Sequence, residues 1–245
     1  MVTVLKLGGS VITDKERPET VDVAALESAA RIIGTALEDT DQLVIVHGGG
    51  SFGHHHAAAH GVSSTAGTAD APALLEIHRA MGELQDAVID HLHARAVPAL
   101  PVRPLSVASR RSDGSIEFPT TQLETMLSQD FVPVVNGDVV VDGAQGGTIL
   151  GGDQIVVTLS RALGARRVGL CSTVPGVLDD GTVVPEIEDF TEVSSVVGES
   201  EATDVTGGMA EKIRQLLELD IPASVFDLDA LETFLESGSA GTVVR

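Results

Sequence analysis

Glycine-rich turns beside short apolar runs constrain this chain more than any other feature of its sequence. Each turn lies where a predicted strand passes into a helix or where a helix begins, at residues 8–9, 48–53, 151–152 and 207–208. Between them stand continuous apolar runs typical of buried strands and the 3.6-residue apolar spacing typical of helices. Strands that alternate with helices form a mostly parallel sheet covered on both faces. We therefore expect an α/β fold.

The predicted elements follow this alternation along the chain. Predicted strands span residues 2–7, 42–46, 98–103, 131–135, 167–171 and 223–226. Predicted helices span residues 22–38, 57–59, 73–96, 151–164 and 207–219. Turn residues at 136–138 and 142–143 bracket a short strand at 139–141, which is a hairpin signature, so we expect a β-hairpin insertion. No repeat or linker divides the chain, and we expect a single domain over residues 1–245.

The charge balance excludes several classes of function. The 245 residues carry 36 acidic and 15 basic side chains, a formal net charge of -21. Because such a surface repels phosphate backbones and acidic membranes, we expect no nucleic acid and no membrane among the partners. No apolar run approaches the roughly 20 residues of a membrane helix, and residues 1–6 do not resemble a secretory signal. With the single cysteine, Cys171, unable to form an internal disulfide, these features predict a cytoplasmic protein.

Lysine is nearly absent from the sequence. The chain has Lys6, Lys15 and Lys212 against 12 arginines, and all three lysines lie beside glycine-rich turns. Strong acidity with so little lysine indicates adaptation to high salt, where a Debye length of about 3 Å at molar ionic strength screens the surface repulsion. In such a composition each retained lysine calls for a specific explanation.

The glycine turns and the lysines together predict a phosphate site. In a parallel sheet the turns share one edge, so unshielded N–H groups at helix starts converge on one crevice. Each helix start contributes about 0.3–1 kcal/mol toward an anion. A tight turn alone explains any one glycine pair, but four pairs beside all the lysines favour a phosphate ligand. Phosphoryl transfer needs mainly such donors and cations, because charge builds on the moving oxygens.

Two other motifs overlap the second glycine turn. The spacing Gly48-x-Gly50-x-x-Gly53 fits a dinucleotide fingerprint, but Asp70 downstream lies in a predicted loop rather than at the end of a second strand. Ser51 stands in a Gly-x-Ser-x-Gly nucleophile pattern, yet all eight histidines precede residue 94, too early for the order that a hydrolase requires. The P-loop pattern does not occur.

The sequence resembles the isopentenyl phosphate kinases, a family of the amino-acid kinase superfamily, over nearly its whole length. The resemblance rests on the motifs Lys6-Leu7-Gly8-Gly9-Ser10, Thr13-Asp14-Lys15, His47 to His54, Asn136-Gly137-Asp138-Val139-Val140, Gly152-Asp153 and Asp204 to Met209. It implies the amino-acid kinase fold, a three-layer αβα sandwich with a central mostly parallel sheet. It also implies an acceptor-phosphate lobe at about 1–150, a nucleotide-binding lobe at about 151–245, and a homodimer.

The same resemblance implies an activity and roles for individual residues. The expected reaction moves the ATP γ-phosphoryl group to isopentenyl phosphate, with Mg²⁺, giving isopentenyl diphosphate and ADP in the archaeal mevalonate route to isoprenoids. Lys6 would bridge the β- and γ-phosphates, Lys15 would stabilise the transition state, and His54 would donate a hydrogen bond to the acceptor phosphate. Asp153 would orient the two lysines or a magnesium-bound water. The implied nucleotide-binding residues are Lys6, Gly8, Gly9, Ser10, Gly50, Thr173, Leu178, Gly208 and Lys212. The implied acceptor-binding residues are Gly49, Gly50, Gly53, His54 and Gly152.

Some residues depart from the family pattern or allow other interpretations. Residues 173–178 lack the aromatic that relatives place against adenine, which leaves nucleotide selectivity open. The run His54 to His56 with His60 could form a metal site, but consecutive residues converge poorly on one ion, and we expect no metal site there. His78, His91 and His93 read as packing or surface residues. The isopentenyl tail needs an apolar slot, for which the candidates are Ile77, Met81, Ile89 and Ile149, although each alone is equally explained as core.

Alternative functions remain from the sequence. One is phosphorylation of another small phosphate or phosphonate, such as UMP or fosfomycin. Another is a non-catalytic nucleotide- or oxyanion-binding module, which the joint presence of Lys6, Lys15, His54, Asp153 and Lys212 disfavours.

Thermal unfolding tests the expected adaptation to salt. We expect the melting temperature to be higher in concentrated KCl than in dilute buffer, because salt screens the repulsion among the surface carboxylates. Calorimetry over a KCl series measures it. An equal melting temperature in dilute buffer would contradict the adaptation.

Overall fold

A computed structural model of the chain describes residues 1–37, 42–193 and 208–245. The predicted helix end at residue 38 and the motif residues 204–207, including the predicted helix start at 207, lie outside the described residues. Across the described ranges, each helix is too short or too polar to cross a membrane.

Eight described strands form one central sheet, and six more form two small sheets. In chain order the strands are β1 Val2–Leu7, β2 Gln42–His47, β3 Ala99–Val102, β4 Ser109–Arg110, β5 Ile116–Glu117, β6 Val132–Asn136, β7 Asp138–Asp142, β8 Gly146–Leu150, β9 Arg167–Ser172, β10 Leu178–Asp179, β11 Thr182–Val183, β12 Glu186–Ile187, β13 Ala223–Asp227 and β14 Thr242–Val244. The central order is β12-β14-β13-β9-β1-β2-β6-β3, and its neighbours are parallel except β13 and β14.

The described helices cover both faces of the central sheet. They are α1 Gly9–Ile12, α2 Val23–Ala36, α3 Gly50–Ala59, α4 Ala71–His93, α5 Pro104–Val107, α6 Thr121–Ser128, α7 Gly152–Ala162, α8 Gly208–Leu217 and α9 Leu231–Ser237. One core packs the sheet against α2, α4 and α9, and the other packs it against α6, α7 and α8. The three-layer αβα sandwich expected from the family resemblance is thereby confirmed.

Most predicted elements are present, with one substantial correction. Helix α3 begins at Gly50, not at residue 57 as predicted. Its first two turns are made largely of glycine and histidine, which carry no apolar periodicity, so the sequence pattern hides them. Helix α2 begins as predicted, with the Asp22 side chain accepting a hydrogen bond from the Ala25 N–H at 3.0 Å.

The inserted hairpin is confirmed and belongs to a larger unit than predicted. Strands β7 and β8 pair antiparallel, and β4 and β5 extend them to a four-stranded sheet in the order β5-β4-β7-β8. Arg110 of β4 is buried and donates to the Thr148 hydroxyl and the Ile149 carbonyl of β8 at 3.1 and 3.0 Å. The two-residue strands β4 and β5 are too short to leave a periodic signal in the sequence.

The strand register brings the chemically important loops to one edge of the sheet. Leu7 at the end of β1 lies beside His47 at the end of β2 and beside Cys171 in β9, and His47 lies beside Asn136 at the end of β6. The turns that leave these strands therefore start side by side, as the alternating pattern predicts. Helix α7 begins at Gly152 against the same edge, where a Cβ on Gly152 would lie 3.6 Å from the His47 carbonyl oxygen.

Candidate functional site

A cavity of about 280 Å³ lies at the carboxyl edge of the central sheet. It gathers residues from β1, the loop after α1, both sides of the α3 start, and the first turns of α7 and α8. Its lining includes nearly all the predicted site residues, namely Lys6, Gly8, Gly9, Ser10, Lys15, Gly49, Gly50, Gly53, His54, Gly152, Asp153, Thr173, Gly208 and Lys212. All three lysines of the chain thus face one cavity.

Lys6 and Asp153 form a largely buried ion pair in the cavity wall. The Lys6 ammonium lies 2.6 Å from Asp153 Oδ1, and Lys6 is only 7% exposed. Burial opposes ionisation of Asp153, but the charges of Lys6 and Lys212 outweigh it and lower the pKa of the carboxyl below its ordinary value. The carboxylate is therefore charged at neutral pH. It attracts two ammonium groups that are distant in sequence, Lys6 at 147 positions and Lys212 at 59 positions from Asp153.

The first two glycine turns touch each other through their backbones. A Cβ on Gly9 would overlap the Gly50 nitrogen, and a Cβ on Gly48 would come within 2.8 Å of the Gly9 nitrogen. The Thr13 hydroxyl joins the turns, because it donates to the Gly9 carbonyl at 2.7 Å and accepts from the Ser51 N–H at 3.0 Å. Gly50 also has φ +49°, a left-handed conformation that favours glycine. These glycines are therefore required by close approach as well as by turn geometry.

His54 and Lys15 line the cavity from α3 and from the loop after α1. His54 lies in the second turn of α3 and is half-buried in the cavity wall. Lys15 is exposed on the loop 14–20, and within the described ranges no carboxylate lies within ion-pair distance of its ammonium. The site thus holds one buried lysine and one exposed lysine in the lining of the same cavity.

One end of the cavity is apolar. Ala57, Ile77, Met81 and Ile149 line it, and the Met81 sulfur lies against Gly53, where a Cβ would come within 2.7 Å. Three of the four predicted slot residues are therefore present. The fourth, Ile89, does not line the cavity. It is packed in the core with Val88 and Leu92, because Ile89 lies about 18 Å farther along the axis of α4 than Ile77.

Two polar residues near the cavity escaped the sequence reasoning. Asp138 lines the cavity, and its carboxylate lies 2.8 Å from Nδ1 of His78, which sequence reasoning had assigned to packing or surface. His47 is fully buried at the sheet edge, and burial lowers the pKa of its imidazole to about 4, so it is neutral. The His78–Asp138 pair joins residues 60 apart in sequence and left no local signal.

Of the nucleotide-binding residues predicted beyond residue 170, all but Leu178 line the cavity. Thr173 and Val174 line the cavity, whereas Leu178 lies outside the lining, in the two-stranded β10–β11 sheet. Gly208 and Lys212 line it from the start of α8. A role for Leu178 in contacting the base stays a prediction.

The histidine run on α3 does not form a metal-ligand group. His56 and His60 contact carboxylates of Glu19 and Glu76, and His55 stacks edge-on against His56. In the part of the chain that the structure describes, no three His, Cys, Asp or Glu side chains are arranged to hold one metal ion.

Comparison with known proteins yields one consistent set of relatives. A family model described as the amino acid kinase family matches residues 1–221. An isopentenyl phosphate kinase of Haloferax volcanii is 55% identical over 245 residues, covering 100% of this chain and 98% of the relative. An isopentenyl phosphate kinase of Methanocaldococcus jannaschii is 32% identical, covering 93% of this chain and 91% of the relative.

Solved structures agree with the sequence relatives. An X-ray structure of isopentenyl phosphate kinase superposes with a TM-score of 0.85 at 25% identity, covering 100% of both chains. A crystal structure of an isopentenyl phosphate kinase substrate complex superposes with a TM-score of 0.79 at 25% identity, covering 99% of this chain and 100% of the other.

Substitution of Gly50 tests the contact between the two glycine turns. We expect Gly50→Ala to lower the free energy of unfolding by about 1–3 kcal/mol more than Gly61→Ala. Both positions have positive φ, but a Cβ on Gly50 would overlap Thr13 Oγ1, whereas a Cβ on Gly61 meets no atom within 4 Å. Denaturant unfolding at one fixed KCl concentration measures the difference. Equal losses in the two variants would contradict the close contact.

Proposed function

Because the chain belongs to the amino acid kinase family, and within it to the isopentenyl phosphate kinases, we propose that it transfers the γ-phosphoryl group of ATP to isopentenyl phosphate. The products are isopentenyl diphosphate and ADP. The observation that carries this proposal is the placement of all three lysines around one cavity in a chain of net charge -21. Cations and glycine N–H groups gathered in this way can bind two phosphate-bearing ligands.

The transfer requires no general base. An oxygen of the acceptor phosphate attacks the γ-phosphorus, the bond from that phosphorus to the ADP oxygen breaks, and ADP leaves with the electron pair. Lys6 and Lys15 supply positive charge to the moving group, and the glycine N–H groups supply fixed dipoles. His54 donates a hydrogen bond to the acceptor phosphate and holds it in line for attack.

The residues of the cavity fit a magnesium ion held mainly by phosphate oxygens. Mg²⁺ takes one or two carboxylates together with substrate phosphates and waters, and Asp153 is the ionised carboxylate beside Lys6. When bound, the ion would neutralise charge on the β- and γ-phosphates. Asp153 itself holds Lys6 in the cavity and attracts Lys212, so it orders both ammonium groups for the nucleotide.

The apolar end of the cavity favours an acceptor with a short hydrocarbon tail. Ala57, Ile77, Met81 and Ile149 offer surfaces that a branched alkenyl group buries favourably. The uracil of UMP would bring several polar groups against these side chains, and the compact polar fosfomycin would leave the slot unfilled. The same four apolar side chains therefore disfavour both UMP and fosfomycin as acceptors.

The lining residues support a division of labour between the two parts of the chain. We propose that residues at about 1–150 bind the acceptor phosphate and those at about 151–245 bind the nucleotide. Lys6 belongs to the first part but pairs with Asp153 of the second, and both parts contribute strands to the one central sheet. The two ligands would therefore meet over Lys6.

Several finer features belong to the same proposal. We propose that the enzyme works as a homodimer in the cytoplasm of a halophilic archaeon, in the mevalonate route to isoprenoids. The acidic, lysine-poor composition and the 55% identical relative from Haloferax volcanii support the halophilic origin. Strand β3 ends the central sheet, and exposed Leu100 and Phe131 near that edge offer apolar surface to a second copy.

An acceptor panel tests the proposed reaction. We expect incubation with ATP, Mg²⁺ and isopentenyl phosphate in concentrated KCl to give isopentenyl diphosphate and ADP, with little or no turnover of UMP, fosfomycin or N-acetylglutamate. Phosphorus NMR and coupled detection of ADP measure both products. No diphosphate from isopentenyl phosphate, together with clear turnover of another acceptor, would overturn the proposal.

Variants of Lys15 and His54 separate the two ligand roles. Lys15→Ala is expected to lower kcat about 10²- to 10³-fold with ATP affinity largely kept, because its charge is needed mainly in the transition state. His54→Ala is expected to raise the KM for isopentenyl phosphate about 10- to 100-fold through loss of a charge-assisted hydrogen bond.

Neighbouring side chains provide the controls for these variants. Arg17→Ala changes a cation in the same loop as Lys15, and His55→Ala removes a histidine next to His54 that does not line the cavity. Steady-state kinetics and ATP binding by calorimetry are measured for all four variants. An unchanged kcat in Lys15→Ala would remove the first assignment, and an unchanged KM for isopentenyl phosphate in His54→Ala would remove the second.

A further inference from the structure

The loop that carries Lys15 is closed at its base but reaches outward at its tip. The Asp14 N–H donates to the Thr20 carbonyl at 2.9 Å, and Thr13 pairs with Val21 as an isolated bridge. Lys15 lies beyond this base and is exposed. Whatever fixes the outer part of the loop therefore decides where the ammonium group stands relative to the cavity.

Glu19 anchors the outer part of this loop to the rest of the protein. Its backbone has φ +49°, a left-handed conformation that is unusual for a residue with a side chain and needs support from its surroundings. The Glu19 N–H donates to the Ser51 carbonyl at 3.3 Å, and the Glu19 carboxylate lies 2.8 Å from Nε2 of His56 in α3.

His56 lies between two carboxylates from two different elements. Its Nε2 faces Glu19 Oε1 at 2.8 Å, and its Nδ1 faces Glu76 Oε1 of α4 at 3.0 Å. A carboxylate only accepts hydrogen bonds, so both ring nitrogens must carry a proton for both contacts to form. The His56 side chain is 14% exposed, well below Glu19 and Glu76, so this imidazolium lies beneath the carboxylates that it joins.

We propose that His56, as an imidazolium held between Glu19 and Glu76, is a positioning residue that fixes the Lys15 loop against α3 and α4. The proposal rests on the proposed phosphoryl transfer, in which Lys15 must meet the moving group. His56 itself does not line the cavity, so it acts on the reaction only through the loop.

The charges around His56 favour its protonated form. Glu19 faces it from the loop, Glu76 with Arg79 and Glu83 border the same groove from α4, and His55 and His60 neighbour it on α3. Burial disfavours the cation, but hydrogen bonds and charge from Glu19 and Glu76 outweigh it and raise the pKa of His56 above its ordinary value. The double contact is therefore complete below a pH of about 6.5 and is lost as the pH rises through the raised pKa.

Kinetics as a function of pH test the positioning role. We expect the ratio of kcat in wild type to kcat in His56→Gln to be about two- to fivefold at low pH, and to approach one as the pH rises through the His56 pKa. The KM for ATP is expected to stay the same, because His56 lies away from the nucleotide side. Because the substrates are the same in both assays, their own titration cancels in this ratio.

Three further variants separate charge from shape. Glu19→Gln should reproduce the loss seen in His56→Gln, and Glu16→Gln, which removes a charge from the same loop without a contact to His56, should not. His56→Lys retains a cation whose ordinary pKa is about 10.4, so it should preserve kcat and move the decline to higher pH. A role of His56 in packing alone would not be rescued by lysine.

Hydrogen exchange gives a readout that does not need activity. At a pH below 6.5 and a fixed KCl concentration, the amides of residues 14–20 should exchange faster in His56→Gln and Glu19→Gln than in wild type or Glu16→Gln. If isopentenyl phosphate is not phosphorylated, the proposed function fails, but hydrogen exchange still tests whether His56 fixes the loop of residues 14–20. Equal exchange in residues 14–20 and a constant kcat ratio across pH in His56→Gln would overturn the positioning role.

Discussion

The close approach of two glycine turns is the constraint from which the rest of the site follows. Gly9 and Gly50 come so near to each other that neither position has room for a Cβ. The Thr13 hydroxyl joins the two turns, because it donates to the Gly9 carbonyl and accepts from the Ser51 N–H. The turns that follow two separate strands therefore line one cavity side by side.

The positive charges of the chain have different roles according to residue type. The chain carries 36 acidic residues, yet its three lysines all line one cavity. Arginines instead form surface ion pairs or buried structural contacts, such as that of Arg110 with Thr148 of the hairpin. A lysine presents a compact charge on a flexible stem, which suits a phosphate that moves during the reaction, whereas the rigid arginine fork suits a fixed partner. Because lysine is scarce in this chain, each lysine that is present indicates a specific role at its position.

The sequence predicted what depends on local pattern. The parallel strands β1, β2, β9 and β13 were visible as apolar runs, and their parallel arrangement makes the convergence of the glycine turns a geometric necessity. Residues such as Asp153 and Lys212 were assigned through the family resemblance and do line the cavity. Helix α3 was placed seven residues late, because glycines and histidines conceal the start of a helix.

What the sequence could not predict depends on contacts between distant residues. His78 meets Asp138 and His56 meets Glu19 across 60 and 37 residues, and neither pair has a spacing that helix or strand geometry imposes. The short strands β4 and β5 form only because the hairpin offers them a partner edge. Ile89 shows the converse, since its place on the helix that follows the acceptor loop suggested a shared slot with Ile77, while the length of α4 carries it into the core.

The buried part of the site can work at an ionic strength that would weaken surface pairs. At molar salt the Debye length is about 3 Å, so exposed charges several ångströms apart hardly interact. Lys6 and Asp153 lie 2.6 Å apart and are largely withdrawn from solvent, which leaves no room for counter-ions between them. Exposed Lys15 has no such protection and depends on its loop for position. At such salt concentrations, burial, close contact and backbone donors are therefore the means by which the cavity can attract phosphate.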